Sequence, residues 1–279
     1  MIIDIRCRPP IKEFQAAFKN KAFLGVDSYS RFTAGLGAEP PSFTNDSIEL
    51  MFSEMNQAGV TKGVVVGRIR PNFNVTNDSI AETVKRHSEK LIGIAGIDVW
   101  NEFHQAIPEI ERSIRKLNLT GVSIEPGGVQ RAMHFNDPRL YPIYAKCDEL
   151  KVPVFLTTGP RQGPSLDYTS PVNVEPVARY FPKLKIVCAH GCYPYVMEML
   201  GVAIRCPNVF FAPDFYAFWP GGEAYLSAAD EKLQDQFLFG TAYPISAFKE
   251  SVEATKRFVT RKESQDKIFY QNAERFLGS

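Results

Sequence analysis

The chain of 279 residues lacks several features that would point at once to a class of function. No apolar run approaches the roughly 18 residues that a membrane-spanning helix needs. Charges nearly balance, at a formal net charge of +1, which argues against nucleic acid or a membrane surface as partner. The five cysteines form no CxxC pair, and no secretory signal is recognisable, so we expect a cytoplasmic protein with reduced thiols.

The first apolar stretch contains the most informative residues. Asp4, Arg6 and Arg8 occupy alternate positions, and Pro9-Pro10 ends the stretch. Alternate residues of a strand point to the same side, so these three side chains are expected on one face and residues 3, 5 and 7 on the other. Two buried guanidiniums need anionic partners, which either the protein or a ligand must supply.

Short runs rich in Val, Ile and Phe recur along the chain and alternate with longer segments of helical period. Several of these runs are almost wholly apolar, as is typical of parallel strands buried on both faces. We predict eight strands, at 2–6, 62–67, 92–97, 121–125, 153–157, 185–189, 208–212 and 237–240. Helices are predicted between them, at about 45–57, 77–88, 102–117, 138–150, 172–181, 194–204, 246–260 and 264–277.

This alternation predicts an α/β fold, a (β/α)₈ TIM barrel in a single domain spanning 1–279, with a loop insertion at about 9–45. A doubly wound sheet is the alternative, but the first strand is not followed by the glycine-rich turn that such a sheet uses for nucleotides. The long segments 9–45, 158–171 and 213–227 all follow strands. In a barrel they would lie over the carboxyl-end mouth, where such enzymes have their sites.

The strand ends resemble those of the amidohydrolase superfamily, in the branch related to aminocarboxymuconate-semialdehyde decarboxylase. The resemblance covers most of the chain and is weakest over 9–45. Its pieces are Ile3-Asp4-Ile5, Val152-Pro153-Val154-Phe155-Leu156, Leu184-Lys185-Ile186-Val187-Cys188-Ala189-His190-Gly191, Phe239-Gly240-Thr241-Ala242-Tyr243-Pro244 and Asn272-Ala273. The resemblance implies a barrel enzyme, commonly a metal-dependent decarboxylase or hydrolase.

The departures from the family pattern concern its metal ligands. The family usually has Asp-x-His-x-His at the first strand, and Arg6 and Arg8 occupy the two histidine positions. Thr157 stands where another histidine is usual, and Ala242 where an aspartate is usual, so only His190 remains. Arginine cannot ligate a cation, so we expect no metal and no cofactor. Unusual ligands such as Cys7, His190 and Asp214 are the remaining alternative.

Arginines at the strand ends suggest a different chemistry. Arg6, Arg8, Arg68, Arg70 and Arg161 all follow predicted strands and could face one mouth. Guanidinium groups suit carboxylate or phosphate, so the predicted partner is a small anionic molecule, a carboxylate. The alternative is local pairing with acidic residues of the barrel rim, namely Asp4, Asp98, Glu125 and Asp214.

Three residues are candidates for proton transfer. His190 has a suitable ordinary pKa, although it could also be a hydrogen-bonded rim residue. Glu125 is either a proton-transfer group or the partner of Arg6 or Arg8, and Asp214 is a base, a cap or a turn former. Thr157 and Tyr243 could donate hydrogen bonds to a bound carboxylate or pack at the rim.

The sequence therefore favours a metal-independent, lactonase-type hydrolase that holds a small carboxylated metabolite on arginines. A carboxy-lyase (decarboxylase) of the same family is one alternative, and a non-catalytic anion-binding barrel is another. The aromatic segment 215–219 is either a lid or a subunit contact, so a homo-oligomer is possible.

Overall fold

The computed structural model of the protein describes residues 1–19, 35–70, 73–101 and 103–278. Seven parallel strands form one sheet in the order β1-β2-β5-β6-β7-β8-β9. Their bounds are β1 Ile3–Cys7, β2 Lys62–Val66, β5 Leu91–Gly96, β6 Gly121–Ile124, β7 Val154–Thr157, β8 Ile186–Ala189 and β9 Val209–Ala212. These are the first seven predicted strands, each within one or two residues of the expected bounds.

The predicted eighth strand is present only as a bridging segment. Leu238 N donates to Phe211 O at 3.0 Å, and Ile5 N donates to Phe239 O at 2.9 Å. Residues 236–239 thus lie between β9 and β1 and bring the barrel close to closure, although only an isolated bridge between Phe211 and Phe237 forms there. The single-domain (β/α) barrel is confirmed, and the expected strand at 237–240 is corrected to this short bridge.

Helices cover the outside of the barrel. They are α1 Lys12–Lys19, α2 Pro41–Thr44, α3 Ile48–Ala58, α4 Asn77–Arg86, α5 Ala106–Arg115, α6 Tyr141–Leu150, α7 Glu175–Tyr180, α8 Val196–Arg205, α9 Glu223–Glu231, α10 Phe248–Phe258, α11 Lys262–Asp266 and α12 Asn272–Leu277. The ends of α3 follow the expected chemistry, since Ser47 caps its start and Gly59 ends it at φ 74°. In α4 the cap is Thr76, whose side chain accepts a hydrogen bond from Ser79 N, directly before the predicted start of the helix at about 77.

Several elements were not predicted. Helix α9, Glu223–Glu231, begins within the long segment 213–227, for which no helix was expected. β3 Arg68–Arg70 and β4 Phe73–Val75 pair as an antiparallel hairpin directly after β2. The segment 9–45, predicted as a loop insertion, contains α1 and α2 in its described parts, while residues 20–34 lie outside the described residues. Within the described ranges, no helix has the length and apolar character needed to cross a bilayer.

The core has two layers. Ile3, Ile5, Val64, Phe155 and their neighbours fill the inside of the barrel, and α12 closes its base with Phe276. A larger outer cluster lies between the sheet and the helices and includes Cys7. The carboxyl ends of the strands are left to polar residues, which positions the candidate site.

An irregularity in β1 sets the direction of its arginines. Asp4 pairs with Gly63 and Cys7 with Val65, so β1 has one residue more than β2 over this interval, as in a β-bulge. Ile3 and Ile5 therefore point into the barrel while Cys7 packs in the outer layer. The predicted separation, with residues 3, 5 and 7 together on one face, is wrong because it assumed an unbroken alternation.

Candidate active site

The mouth of the barrel collects side chains from four strand ends. Arg6 and Arg8 come from the end of β1, Thr157 from the end of β7, and His190 and Asp214 follow β8 and β9. All five are at the carboxyl ends of parallel strands, which meet at one edge of a barrel. Arg6, Arg8, Thr157 and Asp214 are almost completely buried.

Asp214 lies between a cation and an imidazole. Its Oδ2 is 2.9 Å from His190 Nδ1 and 3.6 Å from Arg6 Nη1. The second nitrogen of Arg6, Nη2, donates to Thr157 Oγ1 at 3.5 Å. Of the predicted site residues, Arg6, Thr157, His190 and Asp214 are thus brought together in one group.

The hydrogen bonds within this group are not fully formed. Among the described residues, Arg6 Nη1, His190 Nδ1 and both carboxylate oxygens of Asp214 are buried and have no partner at regular hydrogen-bond angles. The 2.9 Å between His190 and Asp214 is nonetheless a hydrogen-bond distance, and catalytic hydrogen bonds often become aligned only when substrate binds. We therefore treat the two residues as a coupled pair.

The surroundings of His190 favour its neutral form. Burial, and next the charge of Arg6, lower the pKa of His190 to about 4, although Asp214 opposes them. A neutral imidazole with Nδ1–H directed at Asp214 has its lone pair on Nε2, where it can accept a proton. Phe215 and Tyr216, which belong to the aromatic segment 215–219, pack against the imidazole ring, with centroids 5.6 and 5.3 Å away.

Arg8 is held by backbone rather than by a carboxylate. Its Nη1 donates to Ala242 O at 2.6 Å and to Tyr243 O at 3.2 Å. Among the described residues no carboxylate lies within ion-pair distance of Arg8. Burial lowers the pKa of Arg8 well below its usual value, because the charged guanidinium has lost its water. A bound anion would offset that cost.

Glu125 pairs with other arginines than predicted. Arg68 Nε and Nη2 donate to its two oxygens at 2.5 and 2.6 Å, and Arg70 Nη1 lies 3.5 Å from Oε2. Burial alone would raise the pKa of Glu125, but Arg68 first and then Arg70 bring it to about 2. A carboxylate that stays ionised is a poor proton donor, so this geometry favours pairing with Arg68 and Arg70 instead of Arg6 or Arg8.

Two other predicted ligand contacts are placed differently. The hydroxyl of Tyr243 donates to Glu54 Oε2 at 2.5 Å and contacts Ser42, so it does not face the arginines. Only the carbonyl of Tyr243 reaches the site, through Arg8. Arg161 is exposed on the loop after β7, unlike the buried Arg6, Arg8 and Arg68. Of the two alternatives for Tyr243, this geometry favours packing at the rim over a hydrogen bond to a ligand.

Two backbone carbonyls also contribute to the site. Nothing in the pattern around residue 242 indicates that the carbonyls of Ala242 and Tyr243 would receive a guanidinium. Ala242 has a positive φ of 54°, a conformation that alanine rarely adopts. Only the folded chain reveals this turn, which directs both carbonyls toward Arg8.

Comparison with known proteins places the chain in a family. A sequence model of the family described as Amidohydrolase matches residues 33–279. The chain belongs to the amidohydrolase family. The match begins after β1, so Arg6 and Arg8 lie outside it. The resemblance expected from the strand ends is confirmed.

Individual proteins resemble this amidohydrolase over part or all of the chain. An uncharacterised TIM-barrel protein from Bordetella bronchiseptica is 36% identical, with a TM-score of 0.90 over 99% of this chain and 98% of that one. A 2-amino-3-carboxymuconate-6-semialdehyde decarboxylase from Dictyostelium discoideum is 31% identical over 80 residues, which are 29% of this chain and 21% of the relative. A probable 2-pyrone-4,6-dicarboxylic acid hydrolase from Acinetobacter baumannii, solved with citric acid bound, is 15% identical, with a TM-score of 0.70 over 100% of this chain and 99% of that one.

The residues at this amidohydrolase mouth do not fit the divalent cation that the family resemblance implies. Within the described parts of the chain, no three His, Cys, Asp or Glu side chains are grouped to hold a metal ion. The guanidinium of Arg6 lies beside Asp214 and His190, the two groups that could have ligated one, and would repel a cation. Cys7 packs in the outer layer and cannot join them.

Proposed function

We propose that this protein is a metal-independent hydrolase of the lactonase type, which binds a small carboxylated metabolite on arginines. The proposal depends on one observation, the contact of Asp214 with both His190 and Arg6 in the buried mouth. A proton acceptor and a permanent positive charge thus lie on either side of one carboxylate.

The charge balance of the mouth supports an anionic ligand. Within the described part of the chain, the guanidiniums of Arg6, Arg8, Arg68 and Arg70 interact with the carboxylates of Glu125 and Asp214, so positive charge exceeds negative charge among these buried groups. Planar guanidiniums suit the two oxygens of a carboxylate. A small carboxylated molecule therefore suits this site better than a neutral or cationic one.

The proposed reaction is addition of water to an ester carbonyl of the bound acid. Nε2 of neutral His190 takes a proton from water, and the hydroxide attacks the carbonyl carbon. The charge that develops on the carbonyl oxygen is stabilised by the fixed guanidinium of Arg6. The C–O bond to the leaving oxygen then breaks, His190 returns the proton to that oxygen, and Asp214 holds the imidazole in the required tautomer.

Hydrolysis is also the reaction named for the Acinetobacter baumannii protein, a probable 2-pyrone-4,6-dicarboxylic acid hydrolase. At 15% identity, that likeness shows the fold alone, so the reaction is argued from the side chains. The decarboxylase among the relatives favours the second candidate, loss of CO₂ from the same bound acid. Product analysis separates the two, because only decarboxylation releases CO₂.

Replacing the two arginines tests the proposal. Purified protein is screened against carboxylated lactones and enol esters, and kcat/KM is measured for the best substrate. Arg6→Met and Arg8→Met should each lower kcat/KM at least a hundredfold, since each removes a buried positive charge from the mouth. The control is Arg139→Met, which removes an exposed arginine paired with Asp137 and should change kcat/KM less than twofold.

Two results would contradict the proposal. If Arg6→Met and Arg8→Met retain turnover, the arginines do not act as described. If the native protein binds carboxylates tightly but turns over none of the substrates, the non-catalytic anion-binding barrel is the better account.

A further inference from the structure

Two glycine-rich loops meet beside Arg70. Gly127 and Gly128 follow β6, and Gln162 lies in the loop after β7. A methyl group built on Gly128 would lie 2.9 Å from Arg70 Nε and 3.0 Å from Gln162 Oε1. A methyl group on Gly127 would lie 3.5 Å from the carbonyl carbon of Gln162. The guanidinium and the amide oxygen therefore approach the same point of the backbone.

Gln162 is buried, with 6% of its surface exposed. Among the described residues its Oε1 is a buried acceptor that has no hydrogen-bond partner. Burying an unpaired amide oxygen is unfavourable, and such groups in folded proteins call for an explanation. A donor on a bound ligand would satisfy it.

Arg70 has donors left for that ligand. Both oxygens of Glu125 already accept short hydrogen bonds from Arg68, and Arg70 approaches Glu125 only at 3.5 Å. Within the described ranges Arg70 makes no hydrogen bond of its own, and its side chain is 23% exposed. Of the arginines near Glu125, Arg70 is thus the one available to a carboxylate that enters from solvent.

We propose that Gln162 is a specificity-determining residue, which selects acids that carry a hydroxyl group beside the carboxylate bound by Arg70. The hydroxyl donates to Gln162 Oε1, and the carboxylate accepts from the guanidinium. This inference rests on the proposed function, because it specifies the acid that the mouth receives. A site that pairs a buried polar group with a substrate hydroxyl discriminates against the analogue that lacks it.

Binding of matched acids tests the inference without requiring turnover. Calorimetric titration compares succinate with malate and glutarate with 2-hydroxyglutarate. The native protein should bind each hydroxy acid at least tenfold more tightly than its partner. Gln162→Leu should abolish that preference while the affinity for the plain acids changes less than twofold.

Three further variants define the subsite. Arg70→Met should weaken all four acids at least tenfold, because the carboxylate loses its partner. Gln162→Glu places a carboxylate against Arg70 and should also weaken binding of all four acids. This variant tests whether residue 162 lies beside the bound acid even if the leucine variant folds poorly. Gln57→Leu, at an exposed position of α3, should leave every affinity unchanged.

Equal affinities of the native protein for the two members of each pair would overturn the inference. So would a preference that persists in Gln162→Leu, or failure of all four acids to bind. Turnover tests the proposed hydrolase activity separately. If the protein prefers hydroxy acids but turns over no substrate, the role of Gln162 in binding stands and only the proposed hydrolase activity is refuted.

Discussion

At the scale of single residues, the site is built on unusual backbone. His190 and Asp214 follow β8 and β9, Ala242 follows the bridging segment 236–239, and their φ angles are 68°, 53° and 54°. Left-handed conformations cost non-glycine residues about 1 kcal/mol each and tend to cluster at functional sites. These turns place Asp214 against His190 and direct the carbonyl of Ala242 to Arg8. Local strain and site geometry therefore coincide in this protein.

The role of Asp214 can be tested by an isosteric change. Asp214→Asn should lower kcat at least a hundredfold with KM changed less than threefold, because the amide cannot stabilise the required tautomer and charge of His190. Steady-state kinetics on the best substrate provide the measurement. Asp235→Asn, at an exposed carboxylate that pairs with Lys267, is the control and should retain full activity. An unchanged kcat in Asp214→Asn would exclude the coupled pair.

At the scale of elements, the irregularity of β1 decides what faces the mouth. A regular strand would keep Cys7 on the side of Ile5, but the extra residue places Cys7 in the outer layer. There its Sγ would lie 2.5 Å from a methyl group built on Gly63. Any larger residue at position 63 would overlap Cys7, so the bulge in β1 requires glycine at this position of β2.

Substitution at Gly63 tests this packing. Gly63→Ala should lower the free energy of unfolding by about 1–3 kcal/mol, because the added methyl overlaps Cys7. Denaturant unfolding measures the change, and Cys7→Ala in the same chain should recover part of it. The control is Gly201→Ala on α8, where a methyl meets nothing within 4 Å and should stabilise the helix by up to about 1 kcal/mol. Equal effects at the two glycines would contradict the bulge.

At the scale of the whole molecule, a nearly neutral chain concentrates buried charge at one end of the barrel. Asp4 lies beneath the mouth and links β1 to the segment that closes the barrel. It accepts hydrogen bonds from Arg6 N at 2.9 Å, Thr241 N at 3.2 Å and Thr241 Oγ1 at 2.5 Å. Burial nevertheless raises the pKa of Asp4 to about 7, with a smaller contribution from the charge of Asp214.

This pKa makes the stability of the whole barrel depend on pH. Between about pH 4 and pH 7 the folded state keeps the proton of Asp4 while the unfolded chain has lost it, so the contribution of Asp4 falls as pH rises. Asp4→Asn removes this fall. The stability of Asp4→Asn relative to the native protein should therefore increase over this range, by at most about 4 kcal/mol.

Unfolding by urea at several pH values measures this difference. Taking the difference between the two proteins cancels the opposite contribution of His190, whose pKa of about 4 makes stability rise between about pH 4 and pH 6.5. Asp78→Asn is the control: the hydrogen bond from Arg112 lowers the pKa of this exposed carboxylate, so its difference from the native protein should be flat from pH 5 upward. If the difference in unfolding free energy between Asp4→Asn and the native protein does not change with pH, Asp4 is ionised in the folded state over the whole range.

Much of the fold follows from local pattern, and less of the site does. Seven strands and the positions of most helices were predictable, because apolar runs and helical periods are properties of neighbouring residues. The hairpin β3–β4 was missed since its strands have three residues each. Most residues that lie at the site were predicted from the sequence, but their interaction partners were not. Glu125 pairs with Arg68 and Arg70, and the hydroxyl of Tyr243 bonds to Glu54.

The sequence by itself determined the barrel, the position of its mouth and the presence of arginines there. These depend on residue type and periodicity, which need no knowledge of distant contacts. Only the tertiary structure decided that Asp214 joins Arg6 to His190, that Arg8 is held by two carbonyls, and that Gln162 lies unpaired beside Arg70. Those contacts join residues far apart in the chain, and a bulge of one residue or a single left-handed turn is enough to redirect them.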